Sequence, residues 1–145
     1  MKREIHIPNL IGKTNKFIRV AGNSVILYLD CKPGQEYGFS IWLEPTWHMR
    51  NNSRVIVGSR QLQTEDLEEF NRLCEIINLF DSKQINNIQI DKVSNDISIM
   101  TDDFVIRTFV ADPTDEYIWQ IRDNGNRIMI EANPMEITSK EYSKK

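Results

Sequence analysis

One stretch of the chain reads Glu44-Pro45-Thr46-Trp47-His48-Met49-Arg50-Asn51-Asn52-Ser53-Arg54-Val55-Ile56-Val57. A second stretch resembles it and reads Asp112-Pro113-Thr114, four extra residues (115–118), and then Trp119-Gln120-Ile121-Arg122-Asp123-Asn124-Gly125-Asn126-Arg127-Ile128-Met129-Ile130. Both copies have an acid before Pro-Thr, then Trp-x-apolar-Arg, an Asn-rich turn, an arginine and an alternating apolar strand. An internal repeat is the first feature to establish, because it defines the architecture of the whole chain. It does not name a reaction.

The repeat extends upstream of each copy as short alternating strands separated by turn residues. The matching segments are 17–20, 25–29 and 39–43 in the first half, and 85–90, 97–100 and 104–110 in the second. We therefore predict an α+β, mainly β fold: an internally duplicated antiparallel β-meander of two units, about four to five strands each, joined by one amphipathic helix. The two units could form two facing sheets, one curled sheet or two half-barrels.

One helix is predicted between the two units. Thr64 resembles an N-cap, and the acids that follow it suit the positive end of a helix dipole. Apolar residues then recur at three- and four-residue spacing from Leu67 to Phe80. Such a stripe is typical of a helix packed on a sheet.

We predict a single domain over residues 1–145. Its parts are unit one at about 10–60, the linking helix at about 64–80, unit two at about 81–132 and a flexible tail at 138–145. A chain of this length buries a core without metals or disulfides.

The composition is that of an ordinary globular protein, with 40% hydrophobic and 27% charged residues and a net charge of -3. Residues 1–62 carry 9 Lys and Arg against 4 Asp and Glu, while the remainder carries 9 against 17. Such an asymmetry can steer a charged partner or simply reflect acidic turns. No segment approaches the roughly 18 apolar residues of a membrane helix, so we expect a cytoplasmic protein.

The sequence predicts no cofactor, no metal site and no catalytic residue. Cys31 and Cys74 lack Cys-x-x-Cys spacing, only His6 and His48 are present, and the nucleotide, hydrolase and zinc motifs are missing. Cys31, His48 and a nearby acid fit no known nucleophile spacing.

The duplicated tryptophans and arginines are the leading interaction candidates. Trp47 and Arg50 differ in parity along a strand and face opposite sides, as do Trp119 and Arg122. A tryptophan beside an arginine could stack on a base, hold a carboxylate or anchor a protein. Alternatively, both tryptophans pack in the core while both arginines sit at hairpin ends, and we favour this interpretation.

Three further candidates are His48, Glu44 and Asp112. His48 lies opposite the core if its neighbours face it, and its counterpart is Gln120, so any role is outside the duplication. Glu44 and Asp112 could meet near the symmetry axis and bind a cation. We favour instead a turn in which each acid accepts a hydrogen bond from the following threonine.

Nucleic-acid binding is unlikely on composition. A basic patch with aromatic residues could be assembled from Lys16, Arg19, Trp42, Arg50, Arg54 and Arg60. The overall pI near 5.4 argues against a dedicated nucleic-acid protein.

Several strand and turn segments resemble a group of small bacterial proteins of unassigned function. They are Val20-Ala21-Gly22-Asn23-Ser24, Tyr28-Leu29-Asp30, Trp42-Leu43-Glu44-Pro45-Thr46-Trp47 and Arg54-Val55-Ile56-Val57-Gly58-Ser59-Arg60. Members of that group are often encoded near toxin and immunity genes. The resemblance implies an accessory or immunity-type binding protein and assigns no catalytic residue.

The functional expectation is therefore a non-enzymatic bacterial binding protein that acts through protein–protein interaction or self-association. The alternative is a small-ligand carrier or enzyme with a pocket where the two units meet. The differences between the copies, such as His48 against Gln120 and the acidic insertion, are the places to search for function.

Overall fold

The described strands form two antiparallel sheets. The computed structural model describes residues 6–143. The six-stranded sheet has the spatial order β1 (Asn15–Ala21), β2 (Ser24–Leu29), β3 (Phe39–Leu43), β9 (Trp119–Asp123), β10 (Ile128–Ala132) and β11 (Ile137–Glu141). The five-stranded sheet has the order β5 (Val55–Gly58), β4 (Trp47–Arg50), β8 (Val105–Thr108), β7 (Ile97–Met100) and β6 (Asn87–Ile90). The α+β, mainly β class is as predicted, and of the three arrangements left open the chain adopts two separate sheets.

The two units exchange their final strands, so neither forms a meander confined to one sheet. Strands β1, β2 and β3 continue into β9 and β10 of the second unit, whereas β6, β7 and β8 continue into β4 and β5 of the first. The two junctions have equivalent registers: Leu43 lies opposite Trp119, and Thr108 lies opposite Trp47. Each sheet is therefore built from both copies of the repeat.

The copies differ where the chain crosses between the sheets. The N–H of Glu44 donates to the Ile118 carbonyl at 3.0 Å, and the N–H of Phe109 donates to the Thr46 carbonyl at 2.8 Å. Phe109, rather than Asp112, is therefore the structural counterpart of Glu44. Pro45 alone separates Glu44 from Thr46, whereas residues 110–117 separate Phe109 from Ile118. The insertion is longer than the four residues that the aligned Pro-Thr pairs predicted, because those pairs are not equivalent in the register.

Both sheets and the helix contribute to one hydrophobic core. Its buried members include Ile18, Val25, Leu27, Ile41 and Leu43 from the six-stranded sheet, and Trp47, Met49, Ile97, Ile99 and Ile106 from the five-stranded sheet. The predicted inward set Phe39, Ile41 and Leu43 is confirmed, with Phe39 at the margin of the core.

The helix α1 (Leu67–Ile77) lies between short 3-10 turns at 59–63 and 78–80. The Asp66 carboxylate caps it by accepting from the N–H groups of Glu68 at 3.0 Å and Glu69 at 3.3 Å. Thr64 was the predicted cap, and that prediction is wrong by two residues, because its hydroxyl instead accepts from the N–H of Asp66. Within residues 6–143, no helix is long and apolar enough to cross a membrane.

The expected tail contains an additional strand. Residues 137–141 pair with β10 along their whole length, from Ala132 opposite Ile137 to Ile128 opposite Glu141. An unpaired β10 would leave an open sheet edge, and β11 covers it with a short, mostly polar strand. The flexible tail predicted from residue 138 is thus wrong for this strand, and Lys144 and Lys145 lie outside the described residues.

The outer face of the six-stranded sheet, which points away from the core, carries large polar and aromatic side chains. One row across it runs Arg19, Ile26, Trp42, Gln120, Glu131, Thr138, and the next runs Phe17, Tyr28, Ser40, Arg122, Met129, Lys140. Charged residues of both units therefore lie side by side.

Candidate functional site

A hollow of about 330 Å³ lies on this outer face, at the place where the two units join. Four cations and three aromatic residues in its lining define what we call the cationic face: Arg19, Lys32, Arg122, Arg127, Tyr28, Trp42 and Tyr142. The first half of the chain supplies two of the cations and the second half supplies the other two. The cationic face therefore does not follow the charge asymmetry along the sequence.

The cations of this face are available to a partner. None of the four forms an ion pair with an acidic side chain among residues 6–143. The Arg122 guanidinium lies over the Tyr142 ring, 5.8 Å from its centroid. Glu36 is the one carboxylate in the described lining. The balance of charge in the hollow is strongly positive, which favours a negatively charged partner group.

Two loops that border the hollow are tied to each other. The Asn124 N–H donates to the Gly38 carbonyl at 3.0 Å, and its side-chain amide donates to the Tyr37 carbonyl at 3.2 Å. On the far side, the Tyr142 N–H donates to the Arg127 carbonyl at 2.9 Å. These bonds fix the loops that carry Lys32 and Arg127, so the lining is organised before anything binds.

Cys31 lies beneath one of these loops and does not form a reactive set with His48. Its thiol donates to the Phe39 carbonyl at 3.4 Å, and the Asn124 amide lies 3.7 Å from the sulfur. Burial raises the pKa of the Cys31 thiol above its ordinary value, which keeps it protonated. His48 belongs to the five-stranded sheet and contacts Phe109 instead.

The other hollows offer fewer free charges. One of about 820 Å³ lies between α1 and the β4–β5 turn, and two of its charged residues, Arg72 and Asp103, already pair with Glu69 and Lys83. A third, about 330 Å³, lies on the five-stranded sheet beside Arg107.

Two acids balance Arg107 in that third hollow. The Asp96 carboxylate accepts from the Thr108 hydroxyl at 3.0 Å and the Val110 N–H at 3.2 Å, so it holds two strands and a loop together. Asp91 accepts from the N–H groups of the turn that follows it, and these bonds lower the pKa of its carboxyl. Both acids of this hollow are engaged in structural hydrogen bonds.

The predicted tryptophans lie in the core at equivalent positions. Trp47 and Trp119 are 1% and 0% exposed. The Trp47 indole N–H donates to the Asn23 carbonyl at 2.9 Å, and the Trp119 indole N–H donates to the Asn95 carbonyl at 2.7 Å. Each indole fastens a strand of one sheet, β4 or β9, to a hairpin turn of the same unit in the other sheet, which explains why the residue recurs.

Arg50 and Arg122 occupy equivalent outer positions on different sheets. Arg122 belongs to the cationic face, whereas Arg50 donates to the Asn51 carbonyl at 3.3 Å at a hairpin end. Beside Arg50, the His48 ring packs on Phe109 with 4.5 Å between centroids. Burial, with Arg50 and Arg107 nearby, lowers the pKa of His48 and favours its neutral form.

Glu44 and Asp112 have separate structural roles. Glu44 accepts from the Ser24 hydroxyl at 2.9 Å, so the prediction that it bonds to Thr46 is replaced by this contact. Asp112 accepts from the Thr114 N–H at 2.9 Å and from its hydroxyl at 2.7 Å, as the turn interpretation predicted, and these bonds lower the pKa of the Asp112 carboxyl. Among residues 6–143, no group of three or more His, Cys, Asp or Glu is placed to hold a metal ion.

The sequence predicts Arg122 as an interaction residue but does not single out most of its neighbours in the cationic face. Arg19 and Trp42 were considered only as part of a basic first-half patch, and Tyr28, Arg127 and Tyr142 were not considered as site residues. These residues share only an outward position on a strand or a position in a loop that borders the hollow. This shared feature identifies a site only once β3 is known to pair with β9, which joins segments about eighty residues apart.

Comparisons of the chain with protein-family models, with curated proteins and with solved structures found no match.

Proposed function

We propose that this is a non-enzymatic binding protein that acts through protein–protein contact, with the cationic face as its contact surface. The observation that carries the proposal is the group of four cations, which have no acidic partner among residues 6–143 and lie among three aromatic rings on a hydrogen-bonded sheet. Arginine, tyrosine and tryptophan are the residues that most often dominate the energy of protein interfaces. Their convergence on one face supports a binding role.

The charges favour an acidic protein over a nucleic acid. The chain has a net charge of -3, so a long polyanion would meet general repulsion beyond the hollow. A local group of carboxylates on a protein surface would meet only the cations, and arginine binds carboxylates in a fork-like geometry.

The resemblance to proteins encoded near toxin and immunity genes supports an immunity-type version of this role. Such a protein would bind one acidic partner in the cytoplasm. The two cysteines are free, as in a reducing compartment, with Cys31 buried and Cys74 half-buried. Self-association through the same face is the other protein–protein arrangement that the proposal includes.

Site-specific photo-crosslinking in the native host tests the proposal. A photoreactive phenylalanine replaces Tyr28 on the cationic face, and the matched control replaces Val55, which is 53% exposed on the other sheet. We expect a discrete protein adduct at position 28 and none at position 55. The adduct should disappear in Arg122→Glu and persist in Arg54→Glu. An adduct that forms equally from position 55, or that survives Arg122→Glu, would contradict the proposal.

A small anionic ligand is the second candidate, and the size of the hollow favours it. About 330 Å³ is near the lower end of the range for small-molecule sites. Native mass spectrometry of the protein isolated from its host distinguishes the two: a small bound mass that Arg122→Gln removes supports a carrier, and a protein adduct alone supports the first proposal.

A further inference from the structure

The three tryptophans differ in what their indole N–H groups contact. Those of Trp47 and Trp119 donate to backbone carbonyls in the core. Trp42 points to the outer face of β3, and its N–H is buried with no acceptor among residues 6–143. A buried donor without an acceptor is unfavourable, so a group of this kind is a place where an arriving acceptor gains affinity.

The side chains around Trp42 include donors on both sides. In the sheet register, Ile26 and Gln120 lie directly opposite Trp42, Arg19 lies beyond Ile26, and Arg122 lies diagonally on β9. Neighbouring strands are about 4.8 Å apart, so Arg19 and Arg122 span about 14 Å with Trp42 between them. Neither guanidinium can accept a hydrogen bond from the indole.

The equivalent position in the other sheet shows what is particular to this one. Arg107 takes the place of Trp42 there, and its Nε is also buried without an acceptor. Asp91 and Asp96 line that hollow and balance its charge. No such pair of acids faces Trp42, where the described lining has four cations and Glu36.

We propose that Trp42, Arg122 and Arg19 form a carboxylate subsite at the centre of the cationic face. This proposal rests on the proposed function and names the group by which the partner is recognised: an Asp or Glu side chain. The side chains that cover the Trp42 indole N–H move aside as one carboxylate oxygen accepts it. The carboxylate also receives the Arg122 fork, while Arg19 supplies further positive charge. A carboxylate suits the site, because its two oxygens match the planar fork of the Arg122 guanidinium.

An NMR titration with hexaglutamate tests the subsite on the intact chain. The three tryptophans give three indole N–H signals, and Trp42→Phe identifies the one that belongs to Trp42. At low salt, we expect hexaglutamate to shift the Trp42 signal in a saturable manner and to leave those of Trp47 and Trp119 in place, because both already have acceptors. Hexalysine is the matched control and should shift none. Equal movement of all three signals, or no movement of Trp42 at millimolar peptide, would overturn the proposal.

Variants separate the subsite from general charge attraction. Arg122→Gln should weaken hexaglutamate binding about tenfold or more, because it removes a charge-assisted hydrogen bond. Arg54→Gln, which removes an arginine outside the face, should change it less than about twofold. Trp42→Phe should melt within a few degrees of the parent and bind about tenfold more weakly. Equal weakening by Arg54→Gln, or unchanged binding by Trp42→Phe, would contradict the subsite.

Other anions test whether the subsite selects carboxylates, and the crosslinking experiment separates the subsite from the proposed function. A Trp42 shift that saturates at lower concentration with tripolyphosphate or with a ten-nucleotide oligothymidylate would overturn the assignment to carboxylates. If hexaglutamate binds as expected but Tyr28 gives no adduct in the host, the subsite stands and the proposed function fails. If the adduct forms and Trp42 ignores hexaglutamate, the function stands and the subsite fails.

Discussion

Single residues explain why the repeated pattern recurs. Trp47 and Trp119 each bury an indole and donate its N–H to the backbone of an asparagine 24 positions earlier in the chain. Their partners, Asn23 and Asn95, lie in equivalent hairpin turns. The sequence motif therefore records a packing and hydrogen-bonding requirement that each half of the molecule meets in the same way.

Replacing either buried tryptophan should destabilise the protein by a similar amount. We expect Trp47→Phe and Trp119→Phe each to lower the free energy of unfolding by about 2–3 kcal/mol, because each leaves a carbonyl without its donor and a gap in the core. Trp42→Phe is the control and should cost less than about 1 kcal/mol. Urea denaturation measures all three. A large loss confined to one of the two core variants would argue against equivalent roles.

His48 should make stability depend on pH in the mildly acidic range. Its pKa in the folded protein is lowered from an ordinary value of 6.5, chiefly by burial and further by Arg50 and Arg107. The unfolded chain therefore takes up this proton before the folded chain does. The contribution is complete above pH 6.5 and is lost as the pH falls toward the lower, folded pKa.

The variant His48→Gln, which copies the residue found at Gln120, isolates this effect. Its unfolding free energy should fall less than that of the parent between pH 7.5 and pH 5.5, as measured by urea denaturation at each pH. Identical pH profiles for the two proteins would show that His48 does not titrate differently in the folded state.

At the scale of elements, the β2–β3 loop sets the border of the cationic face. Gly38 has a φ of 75°, and a Cβ added there would lie 2.7 Å from both the Cys31 Cβ and the Leu29 carbonyl oxygen. The loop can thus pack closely against Leu29 and Cys31 only with glycine at this position.

Gly38→Ala should therefore destabilise the fold by about 2–4 kcal/mol through strain and overpacking. Gly34→Ala is the matched control in the same loop: its φ is 85°, but nothing lies within 4 Å of the added Cβ. It should cost only about 1–2 kcal/mol, from backbone strain alone. Thermal or urea denaturation of both variants decides the comparison, and equal losses would contradict the close contact.

Individual elements could be predicted from the sequence more readily than their pairing. The alternation around Ile41 is a local signal, and the burial of Ile41 in the core confirms it. The alternation of side chains along the strand also predicted that Trp47 faces the core and Arg50 faces outward. The prediction that Thr64 caps the helix was wrong. Thr64 and Asp66 are both suitable cap residues, and local sequence does not decide which of them reaches the free N–H groups.

The candidate site depends on long-range pairing that no local pattern encodes. The second half could supply β9 to its own β8 or to β3 of the first half, and the alternation is the same in either case. Arg122 meets Trp42 and Tyr28 only in the second arrangement. The same ambiguity explains the aligned Pro-Thr pairs, which look equivalent in sequence and occupy different places in the register.

At the scale of the whole molecule, the exchange of strands makes the two halves interdependent. β3 needs β9, and β8 needs β4, so each half alone exposes an unpaired strand edge and part of the core. The cationic face also needs both halves, because Arg19 and Arg122 belong to different ones. The fold and the cationic face therefore both require the two halves of the chain together.

Reassembly from separate halves tests this interdependence most directly. Residues 1–64 and 65–145 are produced apart, divided in the exposed segment before α1, and their amide NMR spectra and sedimentation are compared before and after equimolar mixing. We predict that neither half alone is a folded monomer. The mixture should give a one-to-one complex with the dispersed signals of the intact chain and the same Trp42 response to hexaglutamate. A half that folds alone as a monomer, or a mixture in which both halves remain separate, would contradict the exchanged architecture and the shared face.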